Sequence, residues 1–405
     1  MPHHPTLHRS AKNLLTELLD EPALDRWVRE LPAPTWKALI RHIGLEDSSE
    51  LLALSTPEQL VELVDETLWD NQDADQFDVE RFATLLESLH DAGVRTLSDK
   101  VAGLPEEFLT MALSRLISVW PADYLRRMAE SDESGVLDKR LEGDNYEEFD
   151  EYAVLSPSGL AWDAIVALLS IWSDAQPELM ERLLHRLSQA NVNSIDEPDE
   201  LVSVLDEMAE FEDDARGERE ERRAASGYIS ASDALAFLRM PPPSRPRETD
   251  AISSAYFRRL RPPKATSPEE NHRLHEVLRR FVPLDPGITR RQLTTGTGLL
   301  KGALEELARA SPESHARALE ELAFLTNVLV AASARKRSPD APPDVAEAIR
   351  SVVTAVEAGA LQEIGLPPEI ATEKLRASLE AEGPISLFRK RPRSAVASTA
   401  LPKRY

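Results

Sequence analysis

Apolar residues along this chain recur every three or four positions, with almost no strand-like alternation, and that spacing predicts helices. The clearest run lies between Leu31 and Asp70. Trp36, Leu39, Ile40 and Ile43 share one face behind Pro32 and Pro34, whose missing N–H groups suit a first helical turn. Gly44 follows, a residue able to end a helix in the left-handed conformation. A short helix is expected up to Leu54. Thr56 then reads as an N-cap, Pro57 as the first helical residue and Glu58 as an acid at the positive end of the dipole. Leu60, Val61, Val64 and Leu68, with Leu63 beside them, form the next apolar face. Helices this short are marginal alone, so they must pack on one another.

The same grammar continues. Phe82, Leu85, Leu86 and Leu89 predict a helix stopped by Gly93, and Pro121 is expected to open another through Met128. Leu160–Trp172 is the most uniformly apolar helix and is expected to be buried on most sides. A long helix from Pro198 loses its apolar positions after Ala215. It is charged all round over Glu212–Arg223, which reads as solvent-facing, with acid-first pairs Glu212–Arg216 and Glu218–Arg222. Ser230 or Ser232 is expected to cap a short helix over Ala234–Met240. Asn71–Asp78 and Asp138–Glu151 read as loops, with Tyr152–Leu155 the one strand-like segment. Proline followed by an acid marks a helix start at Pro57, Pro105, Pro177, Pro198, Pro268, Pro312 and Pro368, without a fixed period.

The fold class is therefore all-α: an irregular α-superhelical array of short antiparallel helices with a C-terminal helical bundle, separate or docked. Residues 1–13 read as a flexible lead, 14–240 as an acidic helical array and 241–268 as a Pro-rich basic linker. Residues 269–388 read as the C-terminal bundle and 389–405 as a disordered basic tail.

Charge changes the picture most. Residues 1–214 carry 47 acidic and 16 basic side chains, a net of −31. Residues 215–405 carry 24 and 31, a net of +7, and together they give the −24 of the whole chain. An acidic front half repels nucleic acid and reads first as a solvated surface on acidic helices; the sharper reading is that it meets a basic partner, or the basic back half of a second copy in a homo-oligomer. There is no cysteine, which excludes disulfides, thiolate metal sites and a cysteine nucleophile. The N-terminal residues lack a signal-peptide core, and the apolar windows fall short of the ~20 residues of a membrane helix. A cytoplasmic protein without membrane contact is expected.

Candidate chemistry is sparse. His3, His4 and His8 have no neighbouring ligands at metal spacing, and His272 with His275 lacks the HExxH pattern. Thr294–Gly302 has glycines and a lysine but not the phosphate-cradle spacing. No catalytic, cofactor-binding or metal-binding residue is assigned. The expected function is a non-enzymatic protein–protein interaction, scaffold or regulatory role. The alternatives are an enzyme with an all-α site, or nucleic-acid contact through the basic linker and tail. The candidate partner-binding residues are Arg258, Arg259, Arg261 and Lys264, next to Tyr256 and Phe257, and Arg389, Lys390, Arg391 and Arg393.

The run from Leu31 to Asp70, with AASGYISASDALAFLR (224–239) and EELAFLTNVL (320–329), resembles a bacterial family defined only as a domain of unknown function. The likeness covers most of the chain and carries no site residues over, because no activity is established for that family. Residues 31–70 also look, more weakly, like the helical N-terminal domain of the MgtE magnesium transporters. That implies an α-superhelical fold; no magnesium site is assigned, because the transporters' magnesium-binding carboxylates have no residue-by-residue match here.

Overall fold

Stripes of leucine, alanine and aromatic side chains close into two cores, each within its own unit. The computed structural model describes residues 13–20, 23–70, 76–131, 145–192, 200–245, 247–248, 250–260, 298–334, 345–361 and 367–391. The first unit holds the described residues up to Glu220 and the second those from Glu221 onward. The protein is all-α, with two small antiparallel sheets in the first unit.

The first unit opens with helical residues 13–19, then α1 (Leu24–Glu30), α2 (Ala33–Ile43), α3 (Ser49–Leu54) and α4 (Pro57–Thr67). Thr56 caps α4 as expected: its side chain accepts from the Gln59 N–H, and Gln59 Oε1 accepts from the Thr56 N–H at 2.8 Å. The Gln59 amide then donates to the Val28 and Leu31 carbonyls, 2.8 Å each, and satisfies the open end of α1. Gly44 ends α2 with φ +105. The core runs on through α5 (Val79–Asp91), α6 (Val94–Ala102), α7 (Glu106–Ser114), α8 (Ala122–Ser131), α9 (Trp162–Ala175) and α10 (Pro177–Val192). Trp36, Phe82, Phe108, Ile165, Leu168 and Trp172 are fully enclosed in it. Phe77, Phe82 and Phe108 meet edge-on or tilted, with centroids 5.6–5.9 Å apart. All six tryptophans of the sequence fall in this unit.

Three expectations change here. Trp69–Asp70 (β1) pairs with Gln76–Phe77 (β2), so the predicted loop at Asn71–Asp78 ends in a short strand. Tyr152–Leu155 is a strand, but not alone: it is the centre of a sheet whose edges are Ser118–Pro121 (β3) and Tyr146–Phe149 (β4), with Tyr152–Leu155 as β5. Pro121 therefore closes a strand and leads straight into the expected helix, which starts at Ala122, and part of the acidic break is a hairpin arm. Four-residue strands with a charged edge carry too little alternation to stand out.

The third change concerns α11 (Glu200–Ala225). Glu212 and Arg216 pair at 2.6 Å as expected. Its charged half is not wholly solvent-facing, however: Ala215 and Arg219, one turn apart, are enclosed. Arg219 Nε donates to the Asp65 carbonyl at 2.6 Å, and the guanidinium lies 4.8 Å from the centre of the Trp69 ring. A planar cation on an aromatic face, with a backbone acceptor, keeps an arginine inside.

The second unit packs α12 (Ala231–Arg239), α13 (Ala251–Arg259), α14 (Gly298–Ala310), α15 (Pro312–Ala334), α16 (Val345–Ala360), α17 (Pro368–Glu382) and α18 (Pro384–Lys390). Its core gathers Phe237, Tyr256, Leu307, Phe324, Leu325, Val356, Leu375 and Phe388. Ser230 caps α12 by accepting from the Asp233 N–H. The helix α13 lies inside the stretch read as a linker. Asp250 caps it, and Tyr256 and Ser253 are buried. The stretch read as a tail begins in α18, where Ile385, Leu387 and Phe388 are buried. Gly359 lets α16 and α18 touch: a Cβ there would sit 2.0 Å from the Leu387 carbonyl oxygen. The proline-acid signal does start helices at Pro57, Pro105, Pro177, Pro312 and Pro368, while Pro198 and Pro268 lie outside the described residues. No helix among the described residues is long and apolar enough to cross a membrane.

Candidate functional site

The end of α11 is built to turn. Gly227 takes φ +88, a conformation that L side chains rarely adopt. Its N–H donates to the Ala224 carbonyl, and the Tyr228 N–H donates to the Arg223 carbonyl at 2.9 Å, the paired bonds of a Schellman stop. A Cβ at Gly227 would meet Tyr256 Oη at 3.1 Å and Leu260 Cδ1 at 3.3 Å, so the turn sits directly on α13. Asn327 of α15 locks the junction. Its side-chain amide donates to the Gly227 carbonyl at 3.0 Å and to Tyr256 Oη at 3.1 Å. Burial holds the Tyr256 phenol above its ordinary pKa, so it stays protonated. Beneath it, the Tyr256 and Phe324 rings are 4.9 Å apart, and Phe324 meets Phe237 edge-on at 5.1 Å. The stretches 224–239 and 320–329, distant in sequence, are thus one packed assembly.

The junction brings two basic helix ends together. Arg222 and Arg223 lie in the last turn of α11, Arg258 and Arg259 in the last turn of α13. The Arg223 guanidinium carbon is 3.4 Å from the centre of the Tyr228 ring, and Tyr228 is 37% exposed. Arg258 and Arg259 are exposed. Among the described residues, Arg223, Arg258 and Arg259 form no ion pair. Arginines presented this way suit carboxylate or phosphate, because the guanidinium fork can hold two oxygens at once.

The other predicted basic residues are spent inside the second unit. Arg389 is 8% exposed. It donates to the Pro241 carbonyl at 2.8 Å and faces the Asp250 carboxylate at 3.6 Å. Lys390 pairs with Glu382. Arg391 lies over the Phe388 ring at 3.8 Å and donates to the Phe388 carbonyl, and burial lowers its pKa to about 10. Arg261, Lys264 and Arg393 lie outside the described residues. Sequence reasoning singled out Arg258 and Arg259 but missed Arg223 and Tyr228. The available signal was Gly227, placed after a charged helix and before a capped one.

Displaced pKa values gather at surface ion pairs, Arg126 with Glu148 and Tyr146, and Arg376 with Glu373, while Glu62, Glu321 and His42 lie on three different helices. Burial raises Glu62 on α4, with Lys37 opposing. Burial also raises Glu321 on α15, which accepts from the Ile385 N–H at 3.0 Å, and lowers His42 on α2. Tyr146 is pushed up to about 12 by burial and by its bond to Glu148. Among the described residues, no group of three or more His, Asp or Glu stands where it could hold a metal ion. Glu369, Ile370, Glu373, Lys374 and Ala377 line a shallow, open depression along α17.

Fold and site together define an all-α protein with two separately cored units and a cationic helix junction in the second. The chain belongs to the family of unknown function DUF6178, whose model matches residues 6–361. No curated protein and no solved structure matches it, so the likeness of residues 31–70 to the MgtE N-terminal domain finds no support.

Proposed function

We propose that this chain acts by binding another protein, as a scaffold or regulatory component, and that it works in the cytoplasm. One observation carries the reading. Two helix ends meet through Asn327, Gly227 and Tyr256, beside the exposed Arg258 and Arg259 and the stack of Arg223 on the exposed Tyr228. The lock stands on a packed core, so the surface is preorganised, which lowers the ordering cost of association. Arginine and tyrosine are the residue types that most often dominate binding energy.

The test is crosslinking in the native cells with a tagged full-length chain, beside the same chain carrying Arg258→Glu and Arg259→Glu. A protein enriched with the first and lost with the second is the expected result. Equal recovery from both strains, or no enrichment over an untagged control, would remove the reading.

A further inference from the structure

We infer that the occupant of the cationic junction is the acidic first unit of a second copy of this chain. The inference rests on the binding reading above and names its partner. Arg258 and Arg259, exposed at the end of α13, and Arg223, stacked on Tyr228 at the end of α11, have no carboxylate partner among the described residues. An arriving anion would find them unengaged. The largest supply of uncompensated carboxylates on the page is the chain itself, net −31 over residues 1–214 against +7 over 215–405. Exposed acids of the first unit that form no ion pair among the described residues include Asp47, Asp91 and Asp174.

The net −24 opposes a phosphate polymer and a second copy alike at long range, so the attraction is local, the +7 of residues 215–405 against the −31 of residues 1–214. A two-fold pair would make the contact twice, each junction taking the other copy's first unit, which closes the assembly without an open chain of copies.

Sedimentation equilibrium of the full chain tests this across about 1–100 µM, at about 20 mM and about 300 mM salt. The expected result is a dimer at low salt that dissociates at high salt. Arg223→Glu with Arg258→Glu and Arg259→Glu is expected to weaken association by about tenfold or more. Arg258→Glu with Arg259→Glu alone touches only exposed side chains, and its melting curve beside the wild type separates lost association from any loosening of the end of α13. Reversing Arg239 and Arg309, exposed arginines elsewhere in the second unit, is the charge control and is expected to change association less than about twofold. A monomer at every concentration, or equal weakening by the control, overturns the inference. So does a chain that stays monomeric yet binds labelled oligouridylate through Arg258 and Arg259, which would make the junction a nucleic-acid contact. If the cells yield a foreign partner through these arginines while the pure chain is monomeric, the binding reading stands and self-association falls.

Discussion

Gln59 shows how much one buried side chain can carry. It is 3% exposed, and its amide serves three backbone groups: the Thr56 N–H that starts α4 and the Val28 and Leu31 carbonyls that end α1. Gln59→Ala strips both carbonyls of that partner and half of the capping box, and is expected to cost about 2–4 kcal/mol in urea unfolding. Thr56→Ala removes the other half of the box and is expected to cost about 1 kcal/mol. If the two variants prove equal, the carbonyl contacts contribute nothing. The cap was legible in the sequence because Thr-Pro-Glu-Gln is a local signal. The reach of Gln59 back across 31 residues to Val28 was not, since nothing local announces a long-range acceptor. Arg219 repeats the lesson: its carbonyl partner on Asp65 is 154 residues away, so a helix face of charged residues read as wet.

Single elements depend on neighbours supplying what their own ends lack. Glu321 on α15 caps the start of α18 through the Ile385 N–H, while Arg247, Arg317 and Glu320 also act on its charge. Burial raises its folded pKa above the ordinary 4.5, so the folded state holds the proton more tightly than the unfolded chain. Stability from this group is therefore fullest below 4.5 and is lost as pH rises through the folded value. Glu321→Gln keeps an acceptor without the titration. Its melting temperature relative to the wild type is expected to climb between about pH 4.5 and pH 7, and a flat difference would refute the assignment. Most helices were readable from apolar spacing and proline starts. The exceptions, α13 and α18, sit in proline-rich basic stretches, where composition suggests linker or tail and only burial of Tyr256 and Phe388 reveals a helix. The strands escaped for a different reason: β4 holds two exposed glutamates in four residues, so its pairing with β5 leaves little trace in hydropathy.

At the scale of the molecule, two cores imply two unfolding events rather than one. Gly359→Ala is the sharpest probe, because a methyl group there collides with the Leu387 backbone and α16 and α18 must part. A loss of about 1–3 kcal/mol is expected, confined to the second unit. Circular dichroism should show the earlier transition, while tryptophan emission should melt where the wild type does. A matching shift in both signals would mean that the units unfold as one. The junction at Gly227 belongs to this scale as well. It exists only when residues 100 positions apart, Gly227 and Asn327, are brought together, so its arginines could be named from the sequence but not assembled.

Indole light thus comes from one half of this molecule alone, since Trp27, Trp36, Trp69, Trp120, Trp162 and Trp172 all precede Glu220. The half that holds Tyr228 and Arg258 is dark at those wavelengths. A newly placed tryptophan at Tyr228 would give that dark half its own lamp, and the guanidinium of Arg223 above it would dim or brighten the signal whenever an anion arrived.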